Sequence, residues 1–80
     1  MTSTPAFTET AETVNGRTIR RFESGTRAAA LWLPVGSERF TVYFGFMDGD
    51  RFRCSYAKPS RTYATEKTAE RIAKKWILEG

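Results

Sequence analysis

The sequence contains no histidine and a single cysteine. Histidine is the commonest general base and metal ligand, and one cysteine cannot build a structural zinc site. The glycines are scattered at turns and form no glycine-rich phosphate loop. Asp48 and Asp50 flank Gly49 in a turn and have no further ligands that would make a calcium site. We therefore expect no enzymatic activity, no metal, no cofactor and no small-molecule substrate.

Long apolar runs are missing as well, so the sequence predicts no membrane-spanning segment. Residues 1–5 lack the basic and apolar segments of a signal peptide. A lone cysteine cannot form an internal disulfide, so nothing indicates secretion. We expect a cytoplasmic monomer that makes no contact with a membrane, located in the host cell if the protein is phage-encoded.

Positive charge predominates. Thirteen basic residues stand against nine acidic ones, a net charge of +4, and nine of the basic residues are arginine. Residues 1–16 contain only Glu9 and Glu12 as charged side chains, so the rest of the chain carries thirteen basic against seven acidic residues, or +6. Arginine makes planar, bidentate contacts with phosphate and carboxylate. This balance favours a polyanionic partner: the acidic surface of a protein or ribonucleoprotein complex, or duplex DNA. A soluble surface with a positive bias is the alternative.

A hairpin over residues 38–57 is the main feature of the sequence. Residues 38–46 and 51–57 each alternate with a period of two, which is typical of antiparallel strands with one buried face. In the first arm, Phe40, Val42, Phe44 and Phe46 share one face, and Arg39, Thr41, Tyr43 and Gly45 share the other. In the second arm, Phe52, Cys54 and Tyr56 share the core face, and Arg51, Arg53 and Ser55 share the wet face.

The register of this hairpin can be inferred from burial, because a slip of one residue moves every side chain to the opposite face. Burial favours pairing Phe46 with Phe52, Phe44 with Cys54, and Val42 with Tyr56. This register requires a three- or five-residue loop at residues 47–51, with a positive φ at Gly49. The wet face is then predicted to be basic.

The preceding chain predicts a loose tail and three further strands. Residues 1–8 form the tail, and the dipeptide at residues 15–16 (Asn-Gly) predicts a hairpin with strands at about 9–14 and 17–23. A bulge near residues 20–21 is expected, because Ile19 and Phe22 cannot share a face in a regular strand. In the strand at 27–33, Leu31 and Leu33 share a face opposite Trp32. Trp32 is either buried or part of an exposed stacking platform beside Tyr43.

Residues 58–60 are predicted to end the sheet, and a helix follows. Thr65 is the predicted N-cap, and Ala69, Ile72, Ala73, Trp76 and Ile77 form one apolar stripe that covers the phenylalanine face of the hairpin. Gly80 suits a helix C-terminus. The predicted fold is α+β: a four- or five-stranded antiparallel sheet with one C-terminal amphipathic helix packed on one face. Residues 9–80 form a single domain.

The segment from residue 60 to residue 76, SRTYATEKTAERIAKKW, resembles the end of AP2-type DNA-binding domains and of the arm-site-binding domains of phage integrases. In both families the sheet is followed by an aromatic residue, a threonine, an acidic residue and an alanine, and then by an amphipathic helix. The resemblance covers about seventeen residues. It implies that the sheet face away from the helix enters the major groove of DNA. The residues it implicates are Arg39, Thr41, Tyr43, Arg51, Arg53 and Ser55.

The size and architecture are similar to those of small phage-encoded inhibitors, notably anti-CRISPR proteins. This resemblance implies a non-enzymatic binding protein of a phage or mobile element that docks on a host nucleoprotein defence complex. The charge of +4 differs from that of acidic, DNA-mimicking members, so the expected target is an acidic protein surface or bound RNA. Because residues 9–80 are predicted to form a single basic domain with no effector, we expect it to act by occupying a partner. A DNA-binding module is the first alternative, and a small structural subunit of a larger assembly is the second.

Overall fold

The computed structural model describes residues 7–36 and 38–79, which form an antiparallel sheet and one helix. The strands are β1 (Thr8–Val14), β2 (Arg17–Ser24), β3 (Arg27–Trp32), β4 (Phe40–Asp48), β5 (Arg51–Cys54) and β6 (Arg61–Tyr63), and the helix is α1 (Glu66–Leu78). The strand order is β1-β2-β3-β4-β5, and β6 pairs with the same edge of β4 as β5 does. The predicted α+β class is confirmed, and β6 adds a short sixth strand to the sheet. Of the predicted tail at residues 1–8, residues 1–6 lie outside the described residues, but Phe7 packs against the core and Thr8 already begins β1, so the tail prediction is wrong there. The predicted helix end at Gly80 also lies outside the described residues.

The first hairpin forms as its turn sequence predicts. Asn15 and Gly16 have φ values of 53° and 78°, the left-handed pair required by a type I′ turn. β2 pairs with β1 without interruption from residue 17 to residue 23, so the predicted bulge is wrong. Ile19 and Phe22 instead lie on opposite faces of a regular strand, and both are buried.

Helix α1 packs along one face of the sheet, which we call the helix face; the opposite side is the outer face. The side chain of Thr65 caps the helix by accepting a hydrogen bond from the Thr68 backbone N–H at 3.3 Å. The predicted apolar stripe is confirmed, because four of its five members are buried. They pack against a sheet core of Phe22, Ala29, Leu31, Val42 and Phe44.

Trp76 is the anchor of the helix on the sheet. It is 9% exposed, and its indole N–H donates to the carbonyl oxygens of Ala28 at 2.9 Å and Gly45 at 3.1 Å. Its ring meets the ring of Phe44 edge-on, with the centroids 5.7 Å apart. The guanidinium of Arg27 lies 3.8 Å from the indole centroid, and its Nε donates to the Trp76 carbonyl oxygen at 2.7 Å. One side chain thus connects the last helical turns to β3 and β4.

Arg20 joins the start of the helix to the other half of the sheet. It donates to carboxylates of Glu9 at 2.9 Å, Glu66 at 2.9 Å and Glu70 at 2.6 Å. Burial alone would lower the pKa of Arg20, but the hydrogen bonds to Glu70 and Glu9 outweigh it and raise that pKa overall. The hydrogen bond from Arg20 lowers the pKa of Glu70 in turn.

The register of the central hairpin differs from the predicted one by one residue. A two-residue turn, Gly49-Asp50, joins Asp48 to Arg51, and Phe46 pairs with Arg53 rather than with Phe52. Gly49 does have the predicted positive φ, 65°. The prediction assumed that burial selects the register, but three of the four β5 residues are exposed, so burial provides no preference there.

This register reverses the predicted faces of β5. Arg51 and Arg53 pair with helix-face residues and therefore lie on the helix face, whereas Phe52 and Cys54 lie on the outer face. Cys54, predicted to be in the core, is exposed. Gly45 lets β5 approach this closely, because a Cβ added at Gly45 would collide with the carbonyl oxygen of Arg53.

Candidate functional site

The outer face carries two aromatic rings in contact. Trp32 and Tyr43 are half-buried, with ring centroids 5.2 Å apart and planes inclined at 56°. The guanidinium carbon of Arg17 lies 5.4 Å from the centroid of Trp32, and Ile19 is the cross-strand partner of Trp32. We call these four residues the aromatic platform. The two alternatives for Trp32 were burial and an exposed platform, and the structure lies between them: Trp32 is beside Tyr43 on the outer face but is half-buried.

A depression borders the platform at the end of the sheet near the first turn. It has a volume of about 420 Å³, and its lining includes Val14, Arg17, Ile19, Trp32, Val35 and Glu38. Val14 and Val35 are 46% and 51% exposed. The platform therefore adjoins apolar surface in a concave setting, as anchor residues in protein interfaces do.

The charges on the outer face are balanced, so the prediction of a basic face is wrong. Arg17 pairs with Glu38 at 2.6 Å, and Arg21 pairs with Glu23 at 3.1 Å. The predicted excess of positive charge depended on the two arginines of β5, and these lie on the helix face.

Of the six residues implicated by sequence, the structure brings only Thr41 and Tyr43 onto the outer face. They occupy alternate positions in β4, opposite Trp32 and Ala30 of β3. Arg39 is exposed and precedes β4.

The other three candidates lie elsewhere. Arg51 and Arg53 are on the helix face, and Arg53 pairs with Asp48 at 3.5 Å. Ser55 follows β5, and its hydroxyl oxygen accepts a hydrogen bond from the Ala57 N–H at 3.2 Å. Arg17 and Ile19 are not among the residues implicated by sequence, although their period of two directly after the Asn-Gly turn indicates that they share a face.

A second surface lies on the helix side, between β6 and α1. It is a cleft of about 250 Å³ whose lining includes Lys58, Arg61, Tyr63, Lys75 and Trp76. We call it the basic groove. The ammonium of Lys58 lies over aromatic rings, 5.0 Å from the centroid of Phe44. Arg61 and Lys75 are exposed, and neither makes an ion pair within the described part of the chain.

Across residues 7–36 and 38–79, no group of three or more histidine, cysteine, aspartate or glutamate side chains is placed to hold a metal ion. In the same part of the chain, no helix has the length and apolar character needed to cross a bilayer.

Comparison of the chain with protein-family models, with curated proteins and with solved structures gives no match. The aromatic platform and the basic groove are therefore interpreted from their own chemistry.

Proposed function

We propose that the chain is a non-enzymatic binding protein that docks through its outer face on a protein component of a nucleoprotein complex. The aromatic platform is the observation that carries this proposal. Tryptophan, tyrosine and arginine are the residue types that dominate interface hot spots. Here they are held on adjacent strands, so little conformational entropy is lost when they contact a partner.

The charge balance around the platform favours a protein partner there. The guanidinium of Arg17 is shared with Glu38, and that of Arg21 with Glu23. Phosphates would have to compete with these carboxylates, whereas an apolar or aromatic protein surface would not. The excess positive charge of the chain would then face acidic or nucleic-acid parts of the same complex.

The specific form that we propose is an anti-CRISPR-type inhibitor, made by a phage or mobile element and acting in the host cytoplasm. Such an inhibitor needs only to occupy a surface of the defence complex, which a rigid sheet face can do. The alternative of a module that reads the major groove through the outer face has less support, because Arg51 and Arg53 lie on the opposite side of the sheet.

The proposal can be tested by phage plaquing on a panel of bacterial hosts, each carrying a CRISPR–Cas system that restricts the phage. Expression of the wild-type chain should restore plaquing on at least one host. The double variant Trp32→Ser with Tyr43→Ser should lose this effect while remaining folded by circular dichroism.

The matched control is Lys67→Ser with Arg71→Ser, two exposed helix positions outside the platform and the groove lining. It should restore plaquing as well as the wild type. A wild-type chain that leaves restriction unchanged in every host contradicts the inhibitor proposal. A platform variant that inhibits as well as the wild type contradicts the assignment of the outer face.

A further inference from the structure

Three cations from three separate elements converge on the basic groove. Lys58 comes from the loop after β5, Arg61 from β6 and Lys75 from the last turns of α1. The one carboxylate in the described lining is Glu79, and its Oε2 already lies 3.7 Å from Nη2 of Arg27. The groove therefore concentrates positive charge that the described part of the fold does not neutralise.

Five arginines elsewhere in the sheet have an acidic partner, whereas Arg51 of β5 has no ion pair among the described residues. Arg17, Arg20, Arg21, Arg27 and Arg53 each have a carboxylate within 2.6 to 3.7 Å. Uncompensated positive charges in one cleft repel each other, and an anion bound there would offset this unfavourable electrostatic energy. The ammonium of Lys58 is also positioned, since it lies 5.0 and 5.5 Å from the ring centroids of Phe44 and Trp76. The groove thus has the chemistry of a phosphate site.

Aromatic side chains accompany these cations. Tyr63 lines the groove and is half-buried, and Tyr56, two residues before Lys58 along the chain and outside the groove lining, is fully exposed. Basic grooves combined with aromatic side chains are typical of single-stranded nucleic-acid binding, because unpaired bases stack on the rings while the cations follow the backbone. The bases of a duplex already stack on each other and are not free to do so. We propose that the basic groove binds the phosphodiester backbone of single-stranded nucleic acid, with Tyr56 providing a stacking surface.

The test is fluorescence anisotropy with a labelled oligothymidylate, titrated at several salt concentrations. For single strands, each phosphate contact adds about 0.7 to the slope of log K against log salt concentration. Arg61→Ser with Lys75→Ser should weaken binding and reduce this slope by about 1.4. Tyr56→Ala should weaken binding and leave the slope unchanged, because it removes stacking rather than a phosphate contact.

The matched control is again Lys67→Ser with Arg71→Ser, which removes one lysine and one arginine from exposed positions of the same helix. It should retain the wild-type slope, since neither side chain lines the groove. Far-ultraviolet circular dichroism of every variant establishes that it is folded, and Lys58→Gln provides an independent groove variant.

Three results would overturn the proposal. The first is a groove variant that binds with the wild-type slope and affinity. The second is a duplex of the same length that binds as tightly as the single strand. The third is displacement of the oligonucleotide by inorganic phosphate at an equal concentration of phosphate groups, which would mean a site for the free ion. The groove is separate from the aromatic platform, so any of these results leaves the proposed function of the outer face intact.

Discussion

Replacing Trp76 with alanine should remove the main link between helix and sheet. The substitution deletes a ring that is 9% exposed and its hydrogen bonds to the carbonyl oxygens of Ala28 and Gly45. It also deletes the surface on which the Arg27 guanidinium stacks. Large-to-small changes of a buried tryptophan cost about 3–5 kcal/mol. A chain of 80 residues has a total stability of about 4–12 kcal/mol, so the variant should lose a quarter or more of its stability.

A second substitution distinguishes the contribution of the indole hydrogen bonds to stability from the contribution of the ring packing. Trp76→Phe keeps an aromatic ring but removes the N–H group, and the two carbonyl oxygens lose a donor in a buried setting. We expect a cost of about 1–2 kcal/mol, since one net hydrogen bond contributes about 1 kcal/mol. The matched control is Trp32→Ala on the outer face, where the half-buried ring contacts Tyr43. Its loss should cost about 1–2 kcal/mol.

The measurement is urea denaturation followed by far-ultraviolet circular dichroism, which does not depend on tryptophan as the probe. The free energy of unfolding should fall most for Trp76→Ala and less for the other two variants. An unchanged midpoint for Trp76→Ala would refute the placement of α1 on the sheet. A larger loss for Trp32→Ala than for Trp76→Ala would show that the two faces are exchanged.

Three further predictions follow from individual contacts. Gly45→Ala should destabilise the protein by about 1–3 kcal/mol, because the Cβ of the alanine would collide with the Arg53 carbonyl oxygen. The same substitution should weaken the hydrogen exchange protection of the β4–β5 ladder, and unchanged protection would contradict the observed register. Cys54 is exposed, so a thiol reagent should label it in the native protein as rapidly as it labels the urea-unfolded chain. Labelling only after unfolding would mean that Cys54 is buried in the core. The pKa of Glu70 is lowered by its hydrogen bond from Arg20, so its stabilising contribution is present above the ordinary glutamate pKa of about 4.3 and is lost as the pH falls below it. The melting temperatures of wild type and Glu70→Gln should therefore converge on acidification, and a gap that widens would contradict the ion-pair network.

The parts of the fold that were predicted correctly are those with a strong local signal or an unambiguous period. The Asn-Gly turn requires left-handed backbone at both positions, and that requirement fixed the first hairpin. The apolar residues from Ala69 to Ile77 recur with helical spacing on one side of the segment, and this spacing predicted both the helix and its buried face. In β4 the apolar residues alternate with a period of two, and this alternation correctly predicted which side chains lie on the helix face.

The errors have a different physical origin. β5 is short and mostly exposed, so alternation showed that it is a strand but could not show which side faces the core. β6 has three residues, too few for a period to be recognised. In β2, Ile19 and Phe22 are buried on opposite faces, a pattern that predicts a bulge if both residues are assumed to face one core. As a consequence Arg17 and Ile19 were missed and two arginines were assigned to the wrong face.

The central claim is that the outer face is the docking surface, and hydroxyl-radical footprinting with mass spectrometry tests it most directly. The purified chain would be oxidised alone and in the presence of the defence complex from a host on which it restores plaquing. We predict that Trp32 and Tyr43 react in the free chain and are protected in the complex. Oxidation of both at the free-chain rate in the complex, with protection confined to Tyr63, would contradict this claim and place the interface on the helix side of the sheet.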